Sequence, residues 1–292
     1  MLQHDDMKSV KEVSDLSSDS HDVVLPFYHS RAEKEKVNNR LEALAAVRYN
    51  GQRRDRRSAG IMDPGSRDGG TMARYYIADQ HFYHMGLLKR MDCRGFQSVQ
   101  DMNEYMIRQW NAKVKKTDEV VILGDFSFGG GEETAAVAAR LKGRLYLIKG
   151  NHDQRYLAKQ GFTPERFEWV REYTELSDNS RKVVLCHYPV LFYNGQYRMD
   201  AAGNPRTYML YGQVHDTPDE QLMERFIAET RSTVRAGHDG EDIHIPCNMV
   251  NCFAMYSDYV PLTLDEWLAL NCKGWNLDEI RARAAAFHSE AQ

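Results

Sequence analysis

From Ala73 onward the sequence predicts an α/β protein, and three observations carry that prediction. Short apolar runs suited to buried strands alternate with segments whose apolar residues recur at helical spacing. The helical segments carry recognisable start and stop residues. Nearly every strand-like run is followed by Asp, His or Asn, and the ends of strands are where open α/β sheets assemble their sites.

The first strand is Tyr75–Ala78, followed by a helix over Ser98–Val114 with Val99, Met102, Met106, Ile107 and Trp110 on its apolar face. Val120–Leu123 is a strand, Glu132–Leu141 an Ala-rich helix stopped by Gly143, and Leu145–Ile148 another strand. Val183–Leu185 and Tyr208–Tyr211 continue the set. At Thr217-Pro218-Asp219-Glu220 an N-cap Thr, a Pro at the first helical position and a reciprocal Glu predict a helix whose apolar face is Leu222, Phe226 and Ile227. A final strand near Ile243–Pro246 and helices after Thr263 and Leu277 complete the series.

Residues 1–72 read as a polar extension and 73–292 as the folded domain. The extension carries a Ser/Asp-rich run at Ser14–Ser20, a narrow amphipathic helix over Arg31–Val47, and the cluster Arg53, Arg54, Arg56 and Arg57, which reads as a solvated linker. Met72 stands directly before the first strand, so the residues before it are expected to be dispensable for folding or to precede the start of translation.

At 292 residues the chain is long enough for a sizeable core. With 42% hydrophobic and 27% charged residues it falls among soluble globular proteins, which excludes disordered, fibrous and disulfide-stapled classes. A net charge of −4 supplies no general basic field, which argues against nucleic acid or an anionic membrane as partner. There is no apolar leader and no bilayer-length apolar run, so the expected location is the cytoplasm, where Cys93, Cys186, Cys247, Cys252 and Cys272 would be reduced thiols.

The chemistry sits after the strands: Asp79-Gln80-His81, Gly124-Asp125, Gly150-Asn151-His152-Asp153, His187, and Gly212-Gln213-Val214-His215. Carboxylate, imidazole and amide oxygen without thiolate form a ligand set suited to divalent first-row metals such as Mn, Fe, Co, Ni or Zn. Gly129-Gly130-Gly131 lacks the third glycine of a dinucleotide fingerprint, since position 134 is Thr134, and reads as a rim on the site. A serine-hydrolase elbow is also absent.

In this order the blocks resemble the signature D-x-H, G-D, G-N-H-[DE], H, G-H-x-H of the calcineurin-like metallophosphoesterases, from Ala73 to about Asn276. The resemblance implies a two-sheet α/β/β/α sandwich that hydrolyses phosphate mono- or diesters. It implies one metal held by Asp79, His81 and His215, and a second held by Asn151 and His187, with Asp125 bridging the two. A carboxylate has the two oxygens such a bridge needs, and two cations roughly 3.5–4 Å apart can activate water and clamp phosphorus. His152 matches the family histidine that contacts the phosphoryl group, with Asp153 orienting it.

Where the family has G-H-x-H this chain has Gln213, whose amide oxygen is a poorer donor than imidazole to Zn or Fe, so the second site is expected to be weak. Asp79-Gln80-His81-Phe82-Tyr83-His84 is similar to the D-x-H-F-x-H opening of a bacterial and phage branch, which makes His84 either a substrate contact or a surface histidine. The segment between His187 and Gly212 contains Phe192, Tyr193, Tyr197, Arg198, Arg206 and Tyr208. It could cap the metals, stacking on a nucleotide-like substrate with Arg198 on phosphate, or pack locally as a flap. The rival reading, supported by Gln213, is a scaffold that keeps the fold but uses its surface to bind protein.

Overall fold

Runs of Val, Ile, Leu and Tyr become two four-stranded sheets in the computed structural model, which describes residues 72–288 apart from 160, 163, 238 and 239. The extension expected over residues 1–72, with its helix at 31–47, lies outside the described residues except for Met72. The first sheet is parallel throughout and runs β1 (Arg74–Ile77), β2 (Glu119–Ile122), β3 (Arg144–Ile148), β4 (Phe167–Arg171). The second runs β10 (Met249–Asn251), β7 (Thr207–Tyr211), β6 (Arg181–Cys186), β5 (Tyr173–Asp178), with only the β5–β6 pair antiparallel. A separate hairpin joins β8 (Val234–Ala236) to β9 (Asp242–His244).

Side-chain alternation along the second sheet explains its two faces. Val183, Leu185, Leu210 and Val250 enter the main core with residues of the first sheet such as Ile77, Leu123 and Ile148. Their neighbours Val184, Met209, Tyr211 and Met249 point the other way, into a smaller core shared with Met223 of helix α4 (Pro218–Ser232). Helices α1 (Val99–Lys113) and α2 (Gly131–Arg140) add Met102, Met106, Ile107, Trp110, Val137 and Ala138 to the main core. The short α3 (Gln154–Leu157), then α5 (Leu264–Lys273) and α6 (Leu277–Ala286), complete the α/β sandwich that the family resemblance implies.

The helix starts follow capping chemistry. Ser98 accepts the Asp101 N–H, Thr263 exchanges bonds with Glu266, and Asn276 accepts the Glu279 N–H. The Gly129–Gly131 stretch is the lead into α2, with the Gly130 N–H held by the Glu133 carboxylate, rather than a rim loop.

Four sequence expectations change. The final sheet strand is Met249–Asn251, whereas Ile243–Pro246 contributes only to the exposed hairpin; the apolar alternation there is too short and too polar to enter a core. Strands β4 and β5 intersperse charged residues, Glu168 and Arg171 in one and Glu175 and Asp178 in the other, because they are sheet edges, and so they lack a buried-strand pattern. Leu222 is exposed on α4 and Met223 is buried instead. Glu220 does not return to its N-cap; its buried carboxylate accepts from the Tyr211 hydroxyl at 3.1 Å.

Main-chain bonds join the sheets at one end. Ala78, just past β1, donates to the Cys252 carbonyl and accepts from Ala254, while Cys252 donates to Tyr211. The C-terminal ends of β1, β7 and β10 are thereby pinned together, and β2, β3 and β6 end beside them. Among the described residues no helix is long and apolar enough to cross a membrane. Cys93, Cys186, Cys247 and Cys252 are free thiols.

Burial, with a contribution from Glu224, raises the Glu220 carboxyl to about 8 from its ordinary 4.5. The folded chain therefore keeps a proton that the unfolded chain releases, and this stabilisation, full below about 4.5, is lost as pH rises through about 8. Glu220→Gln is expected to flatten the stability curve in that window, measured by urea unfolding of chelator-treated protein. Equal slopes for variant and wild type would contradict it.

Candidate metal centre

Strands β1, β2 and β7 deliver their side chains through an unusual backbone. Asp79, His81, Asp125, Gln213 and His215 all adopt left-handed conformations, with φ between 49° and 71°. Non-glycine residues in that region cost of order 1–3 kcal/mol each and persist where the surrounding structure over-determines them. Two glycines allow the close approach: a Cβ on Gly150 would strike the Asp125 carboxylate, and one on Gly212 would strike Asp79.

The result is a buried cluster. Asp79, His81 and His215 form one group able to hold a metal ion, and Asp79, Asp125 and His187 form another. His81 Nε2 and His215 Nε2 face each other at 3.2 Å, and His215 Nε2 lies 3.4 Å from Asp79 Oδ1. Asp125 stands between imidazoles from two sheets, with Oδ2 3.5 Å from His81 Nε2 and Oδ1 3.6 Å from His187 Nε2. The His187 Nδ1 lies 2.8 Å from the Leu123 carbonyl, a bond that fixes its N–H there and leaves Nε2 free to accept. Asn151 Oδ1 sits 3.2 Å from that Nε2.

Electrostatics follow from burial. Burial raises the Asp125 carboxyl to about 7, with the Asp79 and Asp153 carboxylates adding to the rise and His187 opposing it. Burial, and the neighbouring His215, push His81 well below its ordinary value. For His215 burial is outweighed by the Asp79 and Asp92 carboxylates, and it rises to about 9. A cluster that gathers two carboxylates and several imidazole nitrogens within reach of one another is chemically matched to divalent metal.

His152 lies at the mouth of this cluster, with its ring 36% exposed and Nε2 3.8 Å from Asp125 Oδ2. Asp153 does not orient that ring. Its fully buried carboxylate accepts the N–H groups of Asp125, Phe126 and Gly150 and the Tyr156 hydroxyl, because the tight turn after β3 aims it at the backbone after β2. Gln213 donates its main-chain N–H to both Asp79 oxygens at 3.1 Å, and its side-chain Oε1 is buried without a hydrogen-bond partner.

His84 stacks on Phe128 with ring centroids 4.0 Å apart, and both rings neighbour His152. It is part of the rim of the site. Arg198 is not: it lines a cavity at the N-terminal ends of β6 and β7, whereas His187 and Gln213 follow their C-terminal ends. The segment from 188 to 206 folds back along the sheet instead of closing over the cluster. Its Tyr193 is buried in the smaller core, and Phe192 is exposed against Phe226.

Sequence reading missed a supporting layer. Asp92 Oδ1 accepts from His215 Nδ1 at 2.7 Å, and Asp92 Oδ2 from Arg94 Nε at 2.9 Å. Arg94, wholly buried, also donates to the carbonyls of Asp79 and Gln80, which holds the left-handed loop in place. Asn251 and Tyr256 both donate to the His215 carbonyl. Asp92-Cys93-Arg94 carries no motif and stands among other charged residues of the long connection after the first strand, so no sequence signal marks it.

The family model for calcineurin-like phosphoesterases matches residues 75–255. An uncharacterized protein of Methanocaldococcus jannaschii is 35% identical over 117 residues, which are 39% of this chain and 58% of that protein, so the match spans little more than half of the relative's length. A protein of unknown function from Aquifex aeolicus, known from its crystal structure, is similar with a TM-score of 0.41 and 21% identity over 68% of this chain and 98% of that one.

A carboxylate that fixes the tautomer of a ligating histidine typically contributes roughly 10–100-fold to metal affinity. Asp92→Asn is therefore expected to weaken divalent metal binding by roughly that factor while the chain stays folded, read by titration with Mn or Zn and by circular dichroism. Unchanged affinity would remove Asp92 from the centre.

Proposed function

We propose, from the premise that this chain belongs to the calcineurin-like phosphoesterase family, that it is a metal-dependent hydrolase of small phosphate esters, with phosphodiesters favoured. The observation that carries the proposal is the position of Asp125, with one oxygen toward His81 and the other toward His187, each from a different sheet. That placement suits a carboxylate shared between two cations.

In this reading Asp79, His81 and His215 hold one cation and Asn151, His187 and Gln213 the other, with Asp125 between. Bound there, divalent cations such as Mn, Fe, Ni or Zn supply charge neutralisation at phosphorus and make hydroxide available near neutral pH. The residues do the rest. Asp125 and His215 are aimed by Asp153 and Asp92, so the reacting groups meet a preorganised site. His152, exposed at the mouth, binds the phosphoryl oxygen and carries a proton to the departing one. The stacked His84–Phe128 pair, with the Arg155 guanidinium over the Phe128 ring, stands beside it, an aromatic and cationic rim that suits an ester with a nucleotide-like group.

The test is turnover of bis(p-nitrophenyl) phosphate against p-nitrophenyl phosphate with Mn, Ni, Zn and Mg supplied in turn. The diester is expected to be the faster substrate with at least one ion, and His152→Ala to lower kcat by roughly 10²–10⁴-fold with metal content unchanged. Silence with every ion would sink the proposal and favour the second reading, a protein-binding scaffold, whose support is Gln213.

Gln213→His should raise occupancy of the second cation site and lower the ion concentration needed for half-maximal activity. Identical metal stoichiometry and activation in variant and wild type would show that Gln213 takes no part.

A further inference from the structure

The cavity that takes Arg198 away from the metal cluster has a chemistry of its own. Its volume is about 520 Å³, and it lies between the β5–β6 turn and the loop that leads into β7. Four cations line it, Arg181, Lys182, Arg198 and Arg206, against one carboxylate, Glu175. Lys182 is paired with Glu175, and Arg181 with Asp265 at 2.6 Å. That leaves Arg198 and Arg206 without a carboxylate in salt-bridge reach among the described residues. The Arg206 guanidinium donates to the Ser180 carbonyl, and the neighbouring Asp200 carboxylate turns its oxygens to Ala202 and Asn204.

Two further donors are unpartnered and buried: the hydroxyl of Thr207, whose residue is wholly buried, and the Nε of Arg181. Arg198 packs across Gly195 toward Thr207, since a Cβ on Gly195 would touch both the Thr207 hydroxyl and the Arg198 Cδ. Guanidinium forks with an adjacent hydroxyl are the donor set that tetrahedral oxyanions require. A buried donor left unpaired is costly, which is a reason for a ligand to be there. Leu176 and Met199 add apolar wall for more than a bare ion.

We propose that this cavity is a second, non-catalytic anion site that binds a phosphate group, as inorganic phosphate or as the monoester of a small metabolite, through Arg198, Arg206 and Thr207. It is separate from the metal cluster: Lys182 precedes His187 by five residues on an extended strand, about 16 Å, so one small ester does not reach both. The inference stands independently of the hydrolase reading, since the two share no residue.

The experiment is calorimetric titration of the chelator-treated full chain with inorganic phosphate and with ribose 5-phosphate at fixed ionic strength. Saturable binding of one ligand per chain is expected, weakened at least tenfold in the surface double variant Arg198→Met/Arg206→Met and retained in Asp125→Asn. Tighter binding of ribose 5-phosphate assigns the site to a metabolite, and equal binding to the phosphate group alone. Loss of binding in Asp125→Asn with full binding in the double variant would place the phosphate in the metal cluster and overturn the proposal, as would no saturable binding of either probe.

Discussion

Two carboxylates, Asp79 and Asp125, are buried where the two sheets are pinned together, and the cost of burying their charge is the constraint on which the site depends. Arg94, the wholly buried guanidinium nearby, is turned to main-chain carbonyls and to Asp92 rather than to either of them. Asp79 receives a main-chain N–H from Gln213 and Asp125 one from His152. Burying an ionised carboxylate without stronger compensation is expensive, so such a group either keeps its proton or takes a cation. The upward shift of Asp125 expresses the first alternative, and the surrounding lone pairs provide for the second.

The frame that holds these groups is built from hydrogen bonds of the chain itself. Asp153 gathers three N–H groups and a tyrosine hydroxyl from the turns after β2 and β3, so those turns are tied to one another. Asp92 and Arg94 do the same for the loops after β1 and β7. Because the ligand-bearing loops are cross-tied in pairs, strain at their left-handed residues is shared by hydrogen bonds remote from the ligand atoms.

Much of the fold was legible because helix caps and buried parallel strands leave local signals: Ser98, Thr217 and Thr263 start helices where their side chains indicate. The edge strands β4 and β5 were not, since a strand with one open side tolerates Glu168 and Glu175 without an apolar pattern. In the candidate site, residues that follow strands were readable in chain order, and the structure brings Asp79, His81, Asp125, Asn151, His187 and His215 together. Asp153 and Arg198 went astray for the same reason: sequence adjacency does not say which way a side chain turns. Asp92 and Arg94 were invisible because a supporting carboxylate needs only its distance to an imidazole, which no spacing encodes.

Gln213 is where this reasoning reaches furthest. Its carbonyl oxygen is a buried acceptor without a donor, a condition that costs about 1–3 kcal/mol unless a water or a cation meets it. The same pocket carries a surplus of negative charge from Asp79 and Asp125, and both features call for the same remedy. An amide oxygen is a harder ligand than imidazole, so the exchange of histidine for glutamine moves the second position away from Zn and toward ions that accept oxygen readily, such as Mn or Mg. On that argument the substitution alters which ion the centre selects, and the chemistry of the remaining donors is kept.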